Sequence, residues 1–100
     1  MPTSTSDGHG VRAADVKVTE DDLRVELVDG RTLVVPLAWY PRLVHGSPRE
    51  RSRWRLIGSG VGIHWSALDE DISIEGLLAG RRSAESQASL KRWLEARASS

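Results

Sequence analysis

The chain has 100 residues and no cysteine, which is the size of one domain that folds around its own core without disulfides or thiolate metal sites. Its 14 basic and 14 acidic residues cancel, which argues against a dominant electrostatic attraction to nucleic acid or to a membrane surface. No apolar run reaches the roughly 20 residues of a membrane span, and residues 1–6 lack the features of a signal peptide. We therefore expect a soluble, cytoplasmic protein without a membrane partner.

The first dozen residues differ in composition from the rest. Residues 1–12 are rich in Ser, Thr, Gly and Asp and contain few apolar side chains. Such a segment cannot offset the conformational entropy lost on ordering, so we expect a disordered tail. Patterned sequence runs over residues 13–82, and residues 83–100 read as a C-terminal helix and tail. The sequence thus predicts one folded domain between two terminal segments.

The first structured elements are predicted to be strands. Residues 15–19 alternate and contain β-branched side chains, which favours a strand. Over residues 23–35, alternating apolar positions flank an Asp-Gly dipeptide, which predicts a β-hairpin. A three-residue loop at 28–30 pairs Val25 with Leu33 and keeps the apolar residues on one face. A two-residue loop would mix the two faces, so the apolar pattern selects the longer loop.

Two short helices are predicted between residues 41 and 53. Pro41 suits the first position of one helix, and Gly46 suits its C-terminal stop. Ser47 and Glu50 carry the signature of a capping box for the other helix. The arginines of this segment are spaced by two and do not share one helical face. Nucleic acid is therefore expected at most as a weak or indirect partner.

A second hairpin is predicted over residues 54–65, around a two-residue Ser-Gly loop. This register pairs Trp54 with Trp65 on one face and places Arg55 beside His64 on the other. The glycines around the loop resemble a phosphate-binding loop only superficially. Strand is followed by strand there, and the Lys-Ser/Thr step of a phosphate-binding loop is missing.

Three consecutive acids, Asp69, Glu70 and Asp71, follow this hairpin. We interpret them as a turn that leads into a short helix capped by Ser73, where carboxylates would face unpaired N–H groups and the positive end of the helix dipole. Together with His64 they have the chemistry to bind a divalent cation or to act as a general acid–base pair. Their spacing matches no familiar metal motif. We favour the structural role and expect no cofactor, no metal and no catalytic residue.

The last predicted element is a helix over residues 84–97, with Ser83 as its N-cap. Its apolar stripe is narrow and flanked by Ser and Ala. Leu90, Trp93, Leu94 and Arg97 form that stripe. Such a helix would dock either on the sheet of its own chain or on a partner.

The charges are unevenly distributed along the chain. Residues 42–55 carry five arginines against one glutamate, and residues 69–75 carry four carboxylates. The two segments would neutralise each other, remain solvated on separate faces, or form a polarised binding surface. Trp39 and Tyr40 offer either core packing or a stacking platform for bases, and we favour packing.

Two runs of residues carry a family resemblance. They are Trp-Tyr-Pro-Arg-Leu at 39–43, and Ile-His-Trp at 63–65 followed by Leu-Asp-Glu-Asp-Ile-Ser-Ile-Glu-Gly-Leu-Leu at 68–78. With them, the chain resembles the bacterial domain-of-unknown-function family 2442 over about residues 14–80. The resemblance implies a small α+β domain of β-hairpins and short helices, without an assigned catalytic residue. It also implies two contexts, because some relatives are fused to a helix-turn-helix domain and others sit beside small proteins in what look like toxin–antitoxin pairs.

These observations predict an α+β domain, in which two antiparallel β-hairpins form a small sheet packed with three or four short helices. We expect a non-catalytic protein-interaction domain, more narrowly the antitoxin-like partner of a small toxin. The alternatives are a regulatory or nucleic-acid-associated protein that uses residues 42–55, and a metal-binding protein that uses the acidic turn. The predicted partner-binding residues are Trp39, Tyr40, Arg42, Arg55, His64, Asp69, Glu70 and Asp71.

Overall fold

The computed structural model describes residues 10–98. Residues 1–9 of the predicted disordered tail lie outside the described residues. The strands are β1 (Ala13–Val18), β2 (Asp22–Leu27), β3 (Thr32–Pro36), β4 (Trp54–Ile57), β5 (Gly62–Trp65) and β6 (Glu70–Ser73). The helices are α1 (Pro41–Val44), α2 (Pro48–Arg51), α3 (Ile74–Leu78) and α4 (Gln87–Ala98), with 3-10 turns at Leu37–Trp39 and Gly58–Gly60.

The strands form two antiparallel sheets of three strands each, in the orders β1-β2-β3 and β4-β5-β6. The domain is therefore α+β as predicted, but the two predicted hairpins belong to two separate sheets instead of one small sheet, and each is extended by a third strand. In the first sheet that strand is β1, which the sequence predicted close to its observed place. In the second sheet it is β6, which the sequence assigned to a turn.

The strand β6 corrects the prediction of an acidic turn at Asp69 to Asp71. Glu70 and Asp71 belong to the ladder, where Ile72 pairs with Ile63 of β5. Asp and Glu are poor strand formers, so local propensity argued against a strand. The pairing with β5 and the burial of Ile72 override that propensity. Only Asp69 remains in the turn, with a φ of 52°.

The register of the first hairpin is confirmed. Val25 pairs with Leu33, and the loop is closed by the Leu27 N–H, which donates to the Arg31 carbonyl at 2.8 Å. Gly30 has a φ of 98°, the left-handed conformation that a three-residue loop requires. The apolar pattern was therefore sufficient to select the loop length.

The register of the second hairpin is also confirmed, with Trp54 opposite Trp65 and Arg55 opposite His64. The turn is longer than predicted, because the last paired residues are Ile57 and Gly62. The intervening residues form the 3-10 turn, in which three successive residues have positive φ angles. These are Gly58 at 59°, Ser59 at 60° and Gly60 at 103°.

Both sheets contribute to a single hydrophobic core. Trp65 lies fully buried within it, and its indole N–H donates to the Arg51 carbonyl at 3.0 Å. This bond satisfies a polar group that would otherwise be costly to bury. The other large side chains with full burial are Leu23, Val25, Leu37, Leu43, Ile63, Leu68 and Ile74.

The short helices begin as predicted but end for different reasons. Ser47 and Glu50 form the capping box of α2, and Ser73 caps α3. Gly46 was predicted as the stop of α1, and the helix does end just before it, at Val44, but the φ of Gly46 is not positive, so no left-handed conformation ends the helix. A Cβ atom there would lie 2.7 Å from Leu68 Cδ1, so Gly46 serves close packing instead.

The last helix starts later than predicted. It begins at Gln87, where the Ser86 hydroxyl accepts the Ser89 N–H at 3.0 Å. Ser83 uses its hydroxyl to accept the N–H of Glu85 in the preceding turn. Within residues 10–98, no helix combines the length and the apolar character of a membrane span.

We predict that the packing of Gly60 against β1 joins the two sheets. A Cβ at Gly60 would lie 2.6 Å from the Ala13 carbonyl oxygen, whereas one at Gly30 would meet nothing within 4 Å. Both glycines have positive φ, so Gly30→Ala isolates the backbone strain. We expect Gly30→Ala to lower the free energy of unfolding by about 1 kcal/mol, and Gly60→Ala by about 3 kcal/mol. Urea unfolding measures the free energy of unfolding of both variants. Equal losses in the two variants would contradict the role of Gly60 in joining the sheets.

Candidate functional site

The outer face of the β4-β5-β6 sheet carries three of the predicted residues in one row. Arg55 of β4 lies opposite His64 of β5, which in turn lies opposite Asp71 of β6. Directly opposed residues share a face of the sheet, so the three side chains stand next to one another. The Nδ1 atom of His64 is hydrogen-bonded to Asp71 Oδ1. We call Arg55, Ile57, His64 and Asp71 the outer face.

The adjacent row points inward and carries Glu70. Its strand partner Trp65 is buried, so Glu70 is drawn toward the same side of the sheet and is half-buried. Burial raises the pKa of the Glu70 carboxyl to about 7, and the Arg42 guanidinium opposes the rise only in part. Beside it is an open cleft of about 210 Å³, whose lining includes Ser73 and Arg81.

Tyr40 lies in the core, which removes it from the predicted contact surface. Its phenol donates to the Arg81 carbonyl at 2.9 Å, and burial raises the pKa of this phenol. Trp39 is half-buried, and the Arg82 guanidinium carbon lies 4.9 Å from the centre of its ring. The aromatic pair thus serves packing, with one face of Trp39 covered by a cation.

Arg42 is already engaged within the chain. Its Nε and Nη2 atoms donate to the two carboxylate oxygens of Glu85 at 2.5 and 2.8 Å. Its Nη1 atom donates to the Asp69 carbonyl at 3.0 Å and lies 3.4 Å from the Asp69 carboxylate. The sequence did not predict Glu85 as a partner, because 43 residues separate it from Arg42 and no local pattern connects them.

The eight predicted residues therefore do not form one surface. Arg55, His64 and Asp71 meet on the outer face, whereas Tyr40 and Glu70 point toward the interior. Trp39 is covered by Arg82 and Arg42 is paired with Glu85, whereas Asp69 is exposed and faces Arg42. Within residues 10–98, three exposed arginines of the basic segment have no carboxylate in ion-pair range, namely Arg49, Arg53 and Arg55.

The acidic residues do not converge with His64 on a common point. Across the described part of the chain, no three His, Asp or Glu side chains are grouped so that they could hold a metal ion. Asp71 pairs with His64, Asp69 faces Arg42, and Glu70 lies on the opposite side of the sheet from Asp71. Alternation along β6 is the physical reason for this separation.

Residues 13–83 match the family described as "Protein of unknown function (DUF2442)". The chain belongs to this family. This confirms the resemblance carried by residues 39–43 and 63–78, and it shows that α4 lies beyond the part that defines a DUF2442 domain. No curated protein matches the chain.

Two solved structures share the fold of this DUF2442 chain. One is the crystal structure of a protein of unknown function from Rhodospirillum rubrum ATCC 11170, with 30% identity and a TM-score of 0.65. The similarity covers 78% of this chain and 94% of that one. The other is the solution NMR structure of an uncharacterized protein from Chromobacterium violaceum, with 24% identity and a TM-score of 0.63. That similarity covers 81% of this chain and 74% of the other.

We predict that Glu70 makes the stability of this DUF2442 domain depend on pH. Its pKa is about 7 in the folded chain against an ordinary 4.5. The folded state therefore binds the proton more tightly, and the free energy of unfolding falls as the pH rises from about 4.5 to about 7. Glu70→Gln should be more stable than the parent by about 1–3 kcal/mol at pH 8 and close to it near pH 4.5.

Urea unfolding at both pH values measures this difference. Glu26→Gln is the matched control, because Glu26 is exposed on the other sheet and should change the stability little at either pH. If the free energy of unfolding of Glu70→Gln differed from that of the parent equally at both pH values, ionisation of the Glu70 carboxyl would not be the cause of the difference.

Proposed function

We propose that this chain is a non-catalytic protein-interaction domain that binds a small protein through its outer face. The observation that carries the proposal is the row of Arg55, His64 and Asp71 across three hydrogen-bonded strands. Side chains on a sheet stand in fixed positions, so a partner meets a preformed pattern of charges and loses little entropy in ordering it. Ile57, which is 39% exposed, adds an apolar contact on the same face.

The charges of the outer face support a partner with an acidic surface. Asp71 is hydrogen-bonded to His64, whereas Arg55 has no carboxylate in ion-pair range among the described residues. Arg53, which directly precedes β4, is exposed as well. A complementary partner would therefore present carboxylates around an apolar group, and charge complementarity of this kind gives specificity and fast association.

The narrower part of the proposal is an antitoxin-like role in the cytoplasm. It is supported by the family resemblance, in which some relatives sit beside small proteins in apparent toxin–antitoxin pairs, and by a sequence without cysteine. The mechanism would be occlusion, in which the outer face covers the functional surface of the toxin. Nothing in this mechanism requires a cofactor or a bond-making step by the domain itself.

The exposed arginines favour one alternative, a nucleic-acid-associated function. Arg49, Arg53 and Arg55 are exposed and could contact phosphates. Such a complex would weaken steeply with salt, because each neutralised phosphate releases condensed counterions. The affinity for a protein partner, held by both polar and apolar contacts, would depend less on the salt concentration.

We predict that Arg55→Glu abolishes capture of the partner. A tagged full-length chain, expressed in its native host, should retain one stoichiometric small protein that mass spectrometry identifies. Arg55→Glu should lose it because the positive charge of Arg55 on the outer face is reversed. Arg24→Glu reverses an exposed charge on the other sheet and should retain the partner.

Thermal melts of all three chains confirm that each is folded. Loss of the captured molecule on nuclease treatment would favour the nucleic-acid alternative. Retention of the partner by Arg55→Glu, or a clean lane for the parent, would refute the outer face as the binding surface.

A further inference from the structure

The segment of residues 84–98, which we call the arm, lies across a corner of the domain built from Arg42, Glu50 and Ala67. We call these three residues the Arg42 corner. The arm reaches it through Glu85 at one end and Arg97 at the other. The contact joins the arm to the family's Trp-Tyr-Pro-Arg-Leu run, because Arg42 belongs to that run.

The first part of the contact is a carboxylate held in a fork. Glu85 accepts two hydrogen bonds from Arg42, and its side chain is only 6% exposed. The Ser89 hydroxyl donates to the same carboxylate at 2.5 Å. The Arg42 guanidinium lowers the pKa of Glu85. A bidentate arginine–carboxylate pair with this little exposure is stronger and more directional than a surface ion pair.

The second part is an aromatic ring that two guanidinium groups contact. The guanidinium carbons of Arg42 and Arg97 lie 5.0 and 4.7 Å from the centre of the Trp93 ring. Arg97 also donates to Glu50 at 2.9 and 3.2 Å and to the Ala67 carbonyl at 3.4 Å. Hydrogen bonding to Arg97 lowers the pKa of Glu50 to about 2. Arg42 therefore binds the carboxylate and the indole of the arm at the same time.

The arm is attached to the domain but is not part of its core. No residue of α4 is buried, and the family match ends at residue 83. Immediately before the arm, the Ser83 N–H donates to the Trp39 carbonyl at 3.0 Å, which fixes the chain at that point. Trp93 packs against the edge of the core, so detachment of the arm uncovers that edge but leaves the buried core residues packed against one another. Such peripheral segments open at a fraction of the global unfolding free energy.

We infer that the Arg42 corner is a receptor for a protein segment that presents a carboxylate just before a helix and, eight residues after that carboxylate, an aromatic ring on the helix. The arm is its occupant within the chain, and a partner helix of the same chemistry displaces it. The spacing is that of Glu85 and Trp93. This surface is separate from the outer face, so the inference does not depend on the proposed function.

A synthetic peptide of residues 84–98, labelled with a fluorophore, tests the inference on full-length protein. In the variant Glu85→Ala plus Trp93→Ala, the chain's own arm loses both of its contacts with Arg42 and keeps only those of Arg97, so Arg42 becomes accessible to the peptide. We expect this variant to bind the peptide at least about tenfold more tightly than the parent, in which the tethered arm competes at high effective concentration. Fluorescence anisotropy measures both affinities.

Two controls separate the corner from unspecific adhesion. Adding Arg42→Ala to the double variant should abolish binding of the peptide. A peptide that carries Glu85→Ala and Trp93→Ala should not bind the double variant. Equal affinities of parent and double variant, or binding that survives Arg42→Ala, would overturn the inference.

A second measurement applies if the double variant does not fold. The parent is labelled with ¹⁵N and titrated with unlabelled peptide, and the amide resonances of residues 87–98 are followed. Displacement should move them to the positions of a free helix-forming segment, while the core resonances stay in place. An unchanged spectrum at a peptide concentration of about 1 mM, the weak end of measurable affinities, would show that the arm is not displaceable and would also overturn the inference.

Discussion

The Trp65 indole lies fully buried in the core to which both sheets contribute, and it donates its N–H to the Arg51 carbonyl. Trp65 lies on β5, the middle strand of its sheet, and its side chain points into the core. The residues opposite it on β4 and β6 therefore face the core as well. Glu70 shares its side and becomes half-buried. His64 and Asp71 are forced to the opposite side. If the register of β5 shifted by one residue, the Trp65 indole would be exposed. The buried side of the sheet and the outer face would then both be lost.

The same hydrogen bond connects the core to the Arg42 corner. Arg51 accepts from Trp65 through its carbonyl, and its side chain donates to the Leu43 and Val44 carbonyls at 2.8 and 2.7 Å. These carbonyls lie at the end of α1, where helical N–H partners run out; the Leu43 carbonyl also accepts the Gly46 N–H at 3.2 Å. The position of Arg42, which lies on α1, is thus tied through one residue to the buried tryptophan.

The parts of the fold that depend on local chemistry could be predicted from the sequence. Alternating apolar residues determine both hairpin registers, so the pattern alone is enough to place Arg55 beside His64. The capping box at Ser47 is equally clear. Each of these signals lies within a dozen residues, where the geometry of a turn or a helix end restricts the choices.

The parts that depend on distant partners could not be predicted. Asp71 joins the outer face because β6 pairs with β5, although carboxylates disfavour strands. The Arg42–Glu85 fork has no local sequence pattern at all. The predicted start of α4 is wrong because Ser83 and Ser86 are equally good caps, and tertiary contacts decide between them.

Both sheets are open, so four of the six described strands have an unpaired edge. Such edges invite pairing with other chains, and this molecule limits that risk strand by strand. A register irregularity interrupts β1 between Ala13 and Asp15, and Pro36 removes a donor at the end of β3. The edge strand β4 has four residues, and Arg55 places a charge on it. These features make the open edges poor templates for pairing with a second chain.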